Sequence, residues 1–332
     1  MRTRSSTTHT GSVVFSRATE LRHLPCAWFA SARKGCRRSM RATEIDPDVC
    51  TRCGECIAEC PALLFDADPG AVPAFDERHG HCLGCGHCVA VCPTNAIRWQ
   101  DDPGSCIPEA GGTCAYDDLL SLLASRRSIR RYRDERVPID EVEVVLDAMR
   151  HAPSASNRRS WEAVVITDPE TIRRLSGETV RLFRFARRML SWGRAVPFLL
   201  PGGLRERARD ARTIESIDRL VRDWHEGRDR ILFGAPCVVL VHMPAYGHMS
   251  GIDAGIAVTH AMLAAHARGL GTCWIGFVIE LLLRRPRLAR LLGIPKGRQV
   301  WGVFTLGFPA AHYHRAPPRA PVRISRFRAS TP

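Results

Sequence analysis

The chain has 332 residues, 45% of them hydrophobic and 25% charged, and a formal net charge of +14. That length suits about two domains with a full buried core, and the composition excludes collagen-like, mucin-like and wholly disordered classes. No run of about 18 apolar residues is free of charge, so no membrane-spanning helix is expected. The basic excess sits at the ends. Residues 1–43 hold nine Arg/Lys against one acid, Glu20, and the tail from Arg315 holds five Arg and no acid. A nucleic-acid-binding domain would carry its charge on a folded face, so no nucleic-acid partner is expected.

Residues 1–43 are rich in Arg, Ser and Thr. They read as a transit peptide, as a disordered basic arm, or as translation from an upstream start with Met40 the working one, and the last two are favoured. A secretory signal needs an unbroken apolar stretch, which Arg17, Glu20 and Arg22 interrupt.

Eight of the fourteen cysteines fall in two runs. The first is Cys50-x2-Cys53-x2-Cys56-x3-Cys60-Pro61, the second Cys82-x2-Cys85-x2-Cys88-x3-Cys92-Pro93. A secreted disulfide scaffold would be short and cysteine-dense throughout, so this concentration points to metal in a reducing compartment, hence the cytoplasm. Structural zinc is the competing reading. Zinc sites use separated C-x2-C pairs, whereas triplets closed by a Cys-Pro suit a cubane. His79, His81 and His87 are read as bystanders. Over about sixty residues the sequence resembles bacterial two-cluster ferredoxins, in which the fourth cysteine of each run ligates the other cluster. That resemblance assigns Cys50, Cys53, Cys56 and Cys92 to one [4Fe–4S] cluster and Cys82, Cys85, Cys88 and Cys60 to the other. The near-repeat implies pseudo-twofold packing around Ile57, Leu63, Phe65, Val89 and Ile97. This domain is set at 44–104, with a turn-rich linker at 105–117 that begins after Asp101-Asp102-Pro103-Gly104.

Asp117–Leu123 predicts a helix with a buried stripe at Leu119, Leu120, Leu122 and Leu123. Directly after it stands Arg126-Arg127-Ser128-Ile129-Arg130, where guanidinium forks beside a hydroxyl suit a phosphate. Helices are expected at 139–152 and 253–269, and strands at 163–166, 236–243 and 300–306. The helix over 253–269 carries His260 and His266, both read as core residues. Residues 178–232, Arg-rich with three apolar bursts, read as a helical insert forming a lid, since long insertions are often functional.

The blocks "RRSIRRYRDERVP", "APSASNRRSWEAVVITDPE" and "GLGTCWIGF" resemble the nitroreductase family of flavin enzymes, and with the cysteine runs in front the chain is similar to ferredoxin-fused nitroreductases. The resemblance runs from Leu119 to about Val322 and places this domain at 118–332. It implies an α+β fold, an antiparallel-dominated sheet flanked by helices, assembled as a homodimer with FMN between subunits. It places Arg126, Arg127, Ser128 and Arg130 by the phosphate and ribityl chain. Pro153, Ser154 and Asn157 line the flavin, from the partner subunit. Trp274, Ile275 and Gly276 offer backbone groups to the ring, and Arg319 completes the phosphate site. The family's Asn-x-Gln-Pro-Trp is here Asn157-Arg158-Arg159-Ser160-Trp161, so a cation replaces the glutamine; Arg159 faces either the flavin or solvent.

Clusters pass single electrons and a flavin can release two together, so the expected function is electron transfer from clusters to FMN and on to a nitroaromatic, quinone or similar electron-poor small molecule. No catalytic side chain is singled out. NAD(P)H is a possible donor, and a redox partner protein a possible partner. Two alternatives stand beside this: a module relaying electrons to another protein, and a non-redox flavoprotein of the same fold.

Overall fold

A computed structural model describes residues 42–78, 80–99, 114–195 and 211–327. The leader (through residue 41), His79, most of the linker and the middle of the 178–232 segment lie outside the described residues.

The cysteine-rich part is built as two similar halves. β1 (Ala42–Ile45) pairs antiparallel with β4 (Ile97–Trp99), and β2 (Phe65–Asp66) with β3 (Ala74–Phe75). Two short helices, α1 (Glu55–Ala58) and α2 (His87–Val91), each begin after a glycine in the left-handed region, Gly54 at φ 76° and Gly86 at φ 78°. Each glycine sits just after the second cysteine of its run, where the chain must turn sharply and a side chain would resist. Phe65, Val89 and Ile97 form the small core with Cys56, and Ile57 packs against it. Leu63 departs from the expectation: it is 79% exposed with φ 53°, and its neighbour Leu64 is the buried one at 2%.

The larger part is a three-layer α+β unit. Its sheet has the order β5 (Glu162–Ile166), β6 (Cys237–Pro244), β8 (Arg298–Gly307), β7 (Gly271–Trp274), antiparallel throughout. β6 is central and buried on both faces, which is why it reads as an unbroken apolar run. Its alternation divides the core. Val238 and Leu240 join one cluster, with Leu175 of α5 (Pro169–Ala195) and Val278 and Leu281 of α8 (Gly276–Arg284). Cys237, Val239 and Val241 join the other, with Val142 and Val145 of α4 (Ile139–Asp147) and Ala257, Val258 and Ala261 of α7 (Met249–Ala267). The helix expected over 139–152 is α-helical only to Asp147 and then tightens to a 3-10 turn, Ala148–His151.

α3 (Tyr116–Ser125) corrects a second expectation. No residue of it is buried, and Leu119, Leu120 and Leu123 stand 41–47% exposed. The helical period is there, but among the described residues nothing buries the stripe. The 178–232 segment is helical as expected, though the helix entering it starts at Pro169. α5 runs against α6 (Ala211–His225), joined by Leu190 with Ile217 and by an Arg187–Asp218 fork at 2.9 and 3.2 Å.

The segment after α3 is fixed across the end of the sheet. Ile129 N–H donates to Thr272 O at 2.8 Å, and the Tyr132 hydroxyl lies 2.8 Å from Ile129 O and 2.7 Å from Thr305 Oγ1. Gly271 allows this close approach, since a Cβ there would stand 2.7 Å from Ile129 Cγ1 and 2.9 Å from its Cβ. Gly271→Ala is therefore expected to destabilise the fold by about 1–3 kcal/mol, the usual cost of overpacking, read as a lower denaturation midpoint with unchanged slope.

Candidate functional site

The eight motif cysteines surround two cavities. One is lined by Cys60, Cys82, Cys85 and Cys88 together with Leu64, Phe65 and Phe75. The other is lined by Cys50, Cys53, Cys56 and Cys92 with Ile45 and Ile97. Each run thus gives three cysteines to one cavity and its fourth to the other. Among the described residues no three or more His, Cys, Asp or Glu side chains are arranged to hold a single metal ion. A lone tetrahedral ion needs its thiolates about 2.3 Å from one point. A cubane instead keeps its ligands apart around its own body, as sulfurs placed around a cavity would, so the residues present fit such a cluster.

Backbone N–H groups point at the sulfurs. Arg52 N donates to Cys50 Sγ, Leu64 N to Cys60 Sγ and Gly84 N to Cys82 Sγ, each at 3.4 Å, and Ala96 N donates to Cys92 Sγ at 3.2 Å. Burial pushes the free Cys88 thiol up to about 11 and also raises Cys56. Burial acts on Cys92 too, but the amides of Ala96 and Thr94 outweigh it and lower that thiol. Loading a metal here must displace these protons.

The second site is the basic corner at the end of α3. Nη1 of Arg126 and Nε of Arg127 are buried, with no hydrogen-bond partner among the described residues. Such groups cost about 1–3 kcal/mol unless something accepts from them, and a dianionic phosphate would. The rest of Arg127 is held by carbonyls, Arg126 O at 2.8 Å and Ala124 O. Ser128 bridges to Thr272 in β7, and the Arg130 guanidinium stands 5.7 Å from the Phe233 ring centre. His266, dismissed as a core residue from sequence, belongs to this corner: its Nε2 is 2.8 Å from Ser125 Oγ, and burial, then the Arg126 and Arg127 charges, lower its pKa. The last turn of a long helix ending beside an Arg cluster was the available signal. Cys273 lies close by; burial raises its thiol pKa, opposed by Arg130. The corner therefore fits an anionic phosphate ligand.

The other expected contacts divide. Trp274 is 38% exposed at the sheet end and Gly276 opens α8. The Ile275 N–H is used by Val303 O at 2.8 Å, so that residue can offer only its carbonyl. Arg319 lies in the exposed segment after β8, and among the described residues no hydrogen bond or ion pair joins it to the Arg126–Arg130 corner.

The Pro153–Ser160 loop is held from below. Buried Asp253 accepts from Ala155 N–H at 3.1 Å and from the Tyr246 hydroxyl at 2.6 Å, while Arg158 stacks 4.7 Å over the Tyr246 ring. Arg298 donates to Ser160 O at 2.6 Å and to His242 Nδ1 at 2.8 Å. Sequence reading missed Asp253, Tyr246, His242 and Arg298, because each is singular in its own element and meets the loop only through the fold. Asn157 gives its amide hydrogens to Leu83 O at 3.1 Å and Gly84 O at 2.7 Å. Arg159 is exposed and also reaches Gly84 O at 3.3 Å.

Comparison with known proteins completes the picture. The Nitroreductase family profile matches residues 123–308, and a 4Fe-4S dicluster domain profile matches 49–97. The nitrobenzene nitroreductase of Ectopseudomonas oleovorans is 30% identical over 204 residues, 58% of this chain and 86% of that protein. The NAD(P)H FMN reductase of Bacillus subtilis is 27% identical over 201 residues, 60% of this chain and 70% of that protein. An FMN-bound nitroreductase structure from Desulfitobacterium hafniense is 21% identical, with a TM-score of 0.49, and covers 64% of this chain and 100% of that one. The protein is an FMN-dependent oxidoreductase. More particularly, the chain belongs to the nitroreductase family and carries a 4Fe-4S dicluster domain ahead of the flavin domain.

Proposed function

We propose that this enzyme passes electrons one at a time from two [4Fe–4S] clusters to FMN and from there, in pairs, to a nitroaromatic, quinone or similar electron-poor small molecule. The carrying observation is that one chain holds both two four-cysteine cavities and a corner of buried, unpartnered guanidinium nitrogens. FMN supplies the conversion between one-electron and two-electron chemistry. Arg126 and Arg127, with Ser128, Arg130 and the nearby His266, bind and neutralise its phosphate, and Arg319 joins them from the tail. Pro153, Ser154 and Trp274 border the ring. Cys50, Cys53, Cys56 and Cys92 hold one cluster, and Cys60, Cys82, Cys85 and Cys88 the other. No side chain is required as proton donor, since water reaches an exposed acceptor face.

The α5–α6 pair is read as a wall over the acceptor site. It packs Phe183 edge-on against Phe277, 4.8 Å away, one residue after Gly276. The unburied apolar face of α3 and the exposed Tyr313, Val322, Ile324 and Phe327 of the tail suit a second copy of the chain, giving a homodimer. NAD(P)H is a candidate donor by analogy with the B. subtilis relative.

The test is anaerobic turnover of a nitroaromatic and a quinone with dithionite-reduced protein and, separately, with NADH and NADPH. Turnover with dithionite that disappears when the clusters are removed, while flavin remains, supports the reading. Dithionite turnover indifferent to cluster removal would contradict the proposed route.

A further inference from the structure

Among the described residues, hydrogen bonds from a single loop of the flavin part reach the cysteine-rich part. Asn157 Nδ2 donates to the carbonyls of Leu83 and Gly84, and Arg159 Nη2 donates to Gly84. Leu83 and Gly84 stand between Cys82 and Cys85, and Gly84 is buried. The peptide unit linking Leu83 to Gly84 is bonded at both ends, its oxygen to Asn157 and its N–H to Cys82 Sγ at 3.4 Å. Bonds in such a chain polarise one another, so Asn157 acts on the sulfur through the peptide. Hydrogen bonds to ligand sulfurs are among the factors that set a cluster's potential.

The clasping loop is built for a fixed position. Its start is tied to Asp253 and its end to Arg298, and Arg159 N–H closes on Ser154 Oγ at 3.0 Å. Asn157 and Arg159 hold φ of 50° and 39°, left-handed values that a non-glycine residue keeps only where its surroundings repay the cost. That cost places both side chains on the same short stretch of cluster loop.

We propose that Asn157 and Arg159 form a docking clasp that makes the cluster of Cys60, Cys82, Cys85 and Cys88 the exit point for electrons into the flavin, leaving the Cys50, Cys53, Cys56 and Cys92 cluster as the entry point. This rests on the assignment of those cysteines as cluster ligands and of the Pro153–Asn157 loop as flavin-lining. Each transfer removes one electron from the exit cluster and adds one to the flavin. An external low-potential one-electron donor, dithionite in the test, refills the clusters. Two transfers, with protons from water, complete a two-electron reduction. Asn157 and Arg159 are positioning residues here, acting through the cluster loop. The replacement of the family's glutamine by Arg159 then serves the fused domain rather than the flavin.

The experiment compares the full chain with Arg159→Ala, whose side chain is exposed, and with Asn157→Ala. Iron, sulfide and FMN content are measured first, then hydrogen exchange of the 83–86 amides, the two cluster potentials, and the single-turnover rate of flavin reduction by dithionite-reduced clusters. With cofactors retained, Arg159→Ala is expected to speed exchange at 83–86 by about tenfold or more, as loss of a charge-assisted bond implies. It should also lower the potential of one cluster, leave the other unchanged, and slow cluster-to-flavin transfer at least tenfold. Asn157→Ala should move the same cluster's potential in the same direction. Unchanged exchange, potentials and transfer in cofactor-replete variants would overturn the clasp. Absence of FMN or iron from the unmodified protein would instead overturn the cofactor assignments beneath it.

Discussion

Cys60→Ala is expected to cost the protein one whole cluster, dropping iron from about eight to about four atoms per chain, and the cluster lost should be the one built by the second cysteine run. Cys60 belongs to the first run in sequence, yet it lines the cavity of Cys82, Cys85 and Cys88, while Cys50, Cys53 and Cys56 face the other cavity. Removing its thiolate leaves that cluster three protein ligands. In so small a domain, metal binding supplies a large share of the folding free energy, so local unfolding around 82–88 should follow. The check is iron and sulfide content with electron paramagnetic resonance of the reduced protein, set beside Cys82→Ala and Cys50→Ala. The Cys60 and Cys82 variants should leave the same residual spectrum, and the Cys50 variant a different one. A Cys60 spectrum matching that of Cys50→Ala would contradict the crossed ligation.

Arg126→Ala should weaken FMN retention by about ten- to a hundredfold and reduce acceptor turnover with it, while leaving iron content untouched. The buried Nη1 of Arg126 has no partner among the described residues. A charge-assisted contact from such a nitrogen to a bound anion is worth about 1.5–3 kcal/mol, which gives that range of affinity. The fold itself should tolerate the change, because the truncation removes an uncompensated buried donor rather than a satisfied one. Flavin content, cluster spectrum and turnover measured on one preparation decide it. Full flavin occupancy would remove Arg126 from the phosphate site, and loss of iron would show that the two domains are not independent.

The sequence made the cluster domain legible because a cubane imposes a spacing on the chain and a glycine turn beside it, as at Gly54 and Gly86. The buried strand β6 was legible for a similar reason, since a central strand must be apolar on both faces. Leu63 and Leu64 show where such reading fails. Both are leucines beside a tight turn, and only the backbone conformation decides which points inward. The stripe on α3 was legible as apolar, but among the described residues nothing buries it, and sequence periodicity cannot tell which surface will cover it. Arg126 and Arg127 could be singled out by their charge cluster. Asp253, Tyr246 and Arg298 could not, since a lone polar residue in a helix, loop or strand carries no pattern. Their role arises only when the fold brings α7, the turn after β6 and the start of β8 beneath the 153–160 loop. Arg159 is the sharpest case. Its exposed side chain also bonds to a backbone carbonyl 75 residues away in sequence, a contact that no local pattern announces.

The measurement that bears most directly on the account is an anaerobic reductive titration of the purified chain, followed by absorption, with flavin and iron determined on the same sample. Two clusters taking one electron each and one flavin taking two predict uptake of about four electrons per chain, with bound FMN and about eight iron atoms. Added nitroaromatic should then withdraw those electrons and restore both the flavin and the cluster absorption. An uptake of about two electrons with flavin alone, or clusters that stay reduced while the flavin is reoxidised, would contradict the proposed route from clusters through FMN to the acceptor.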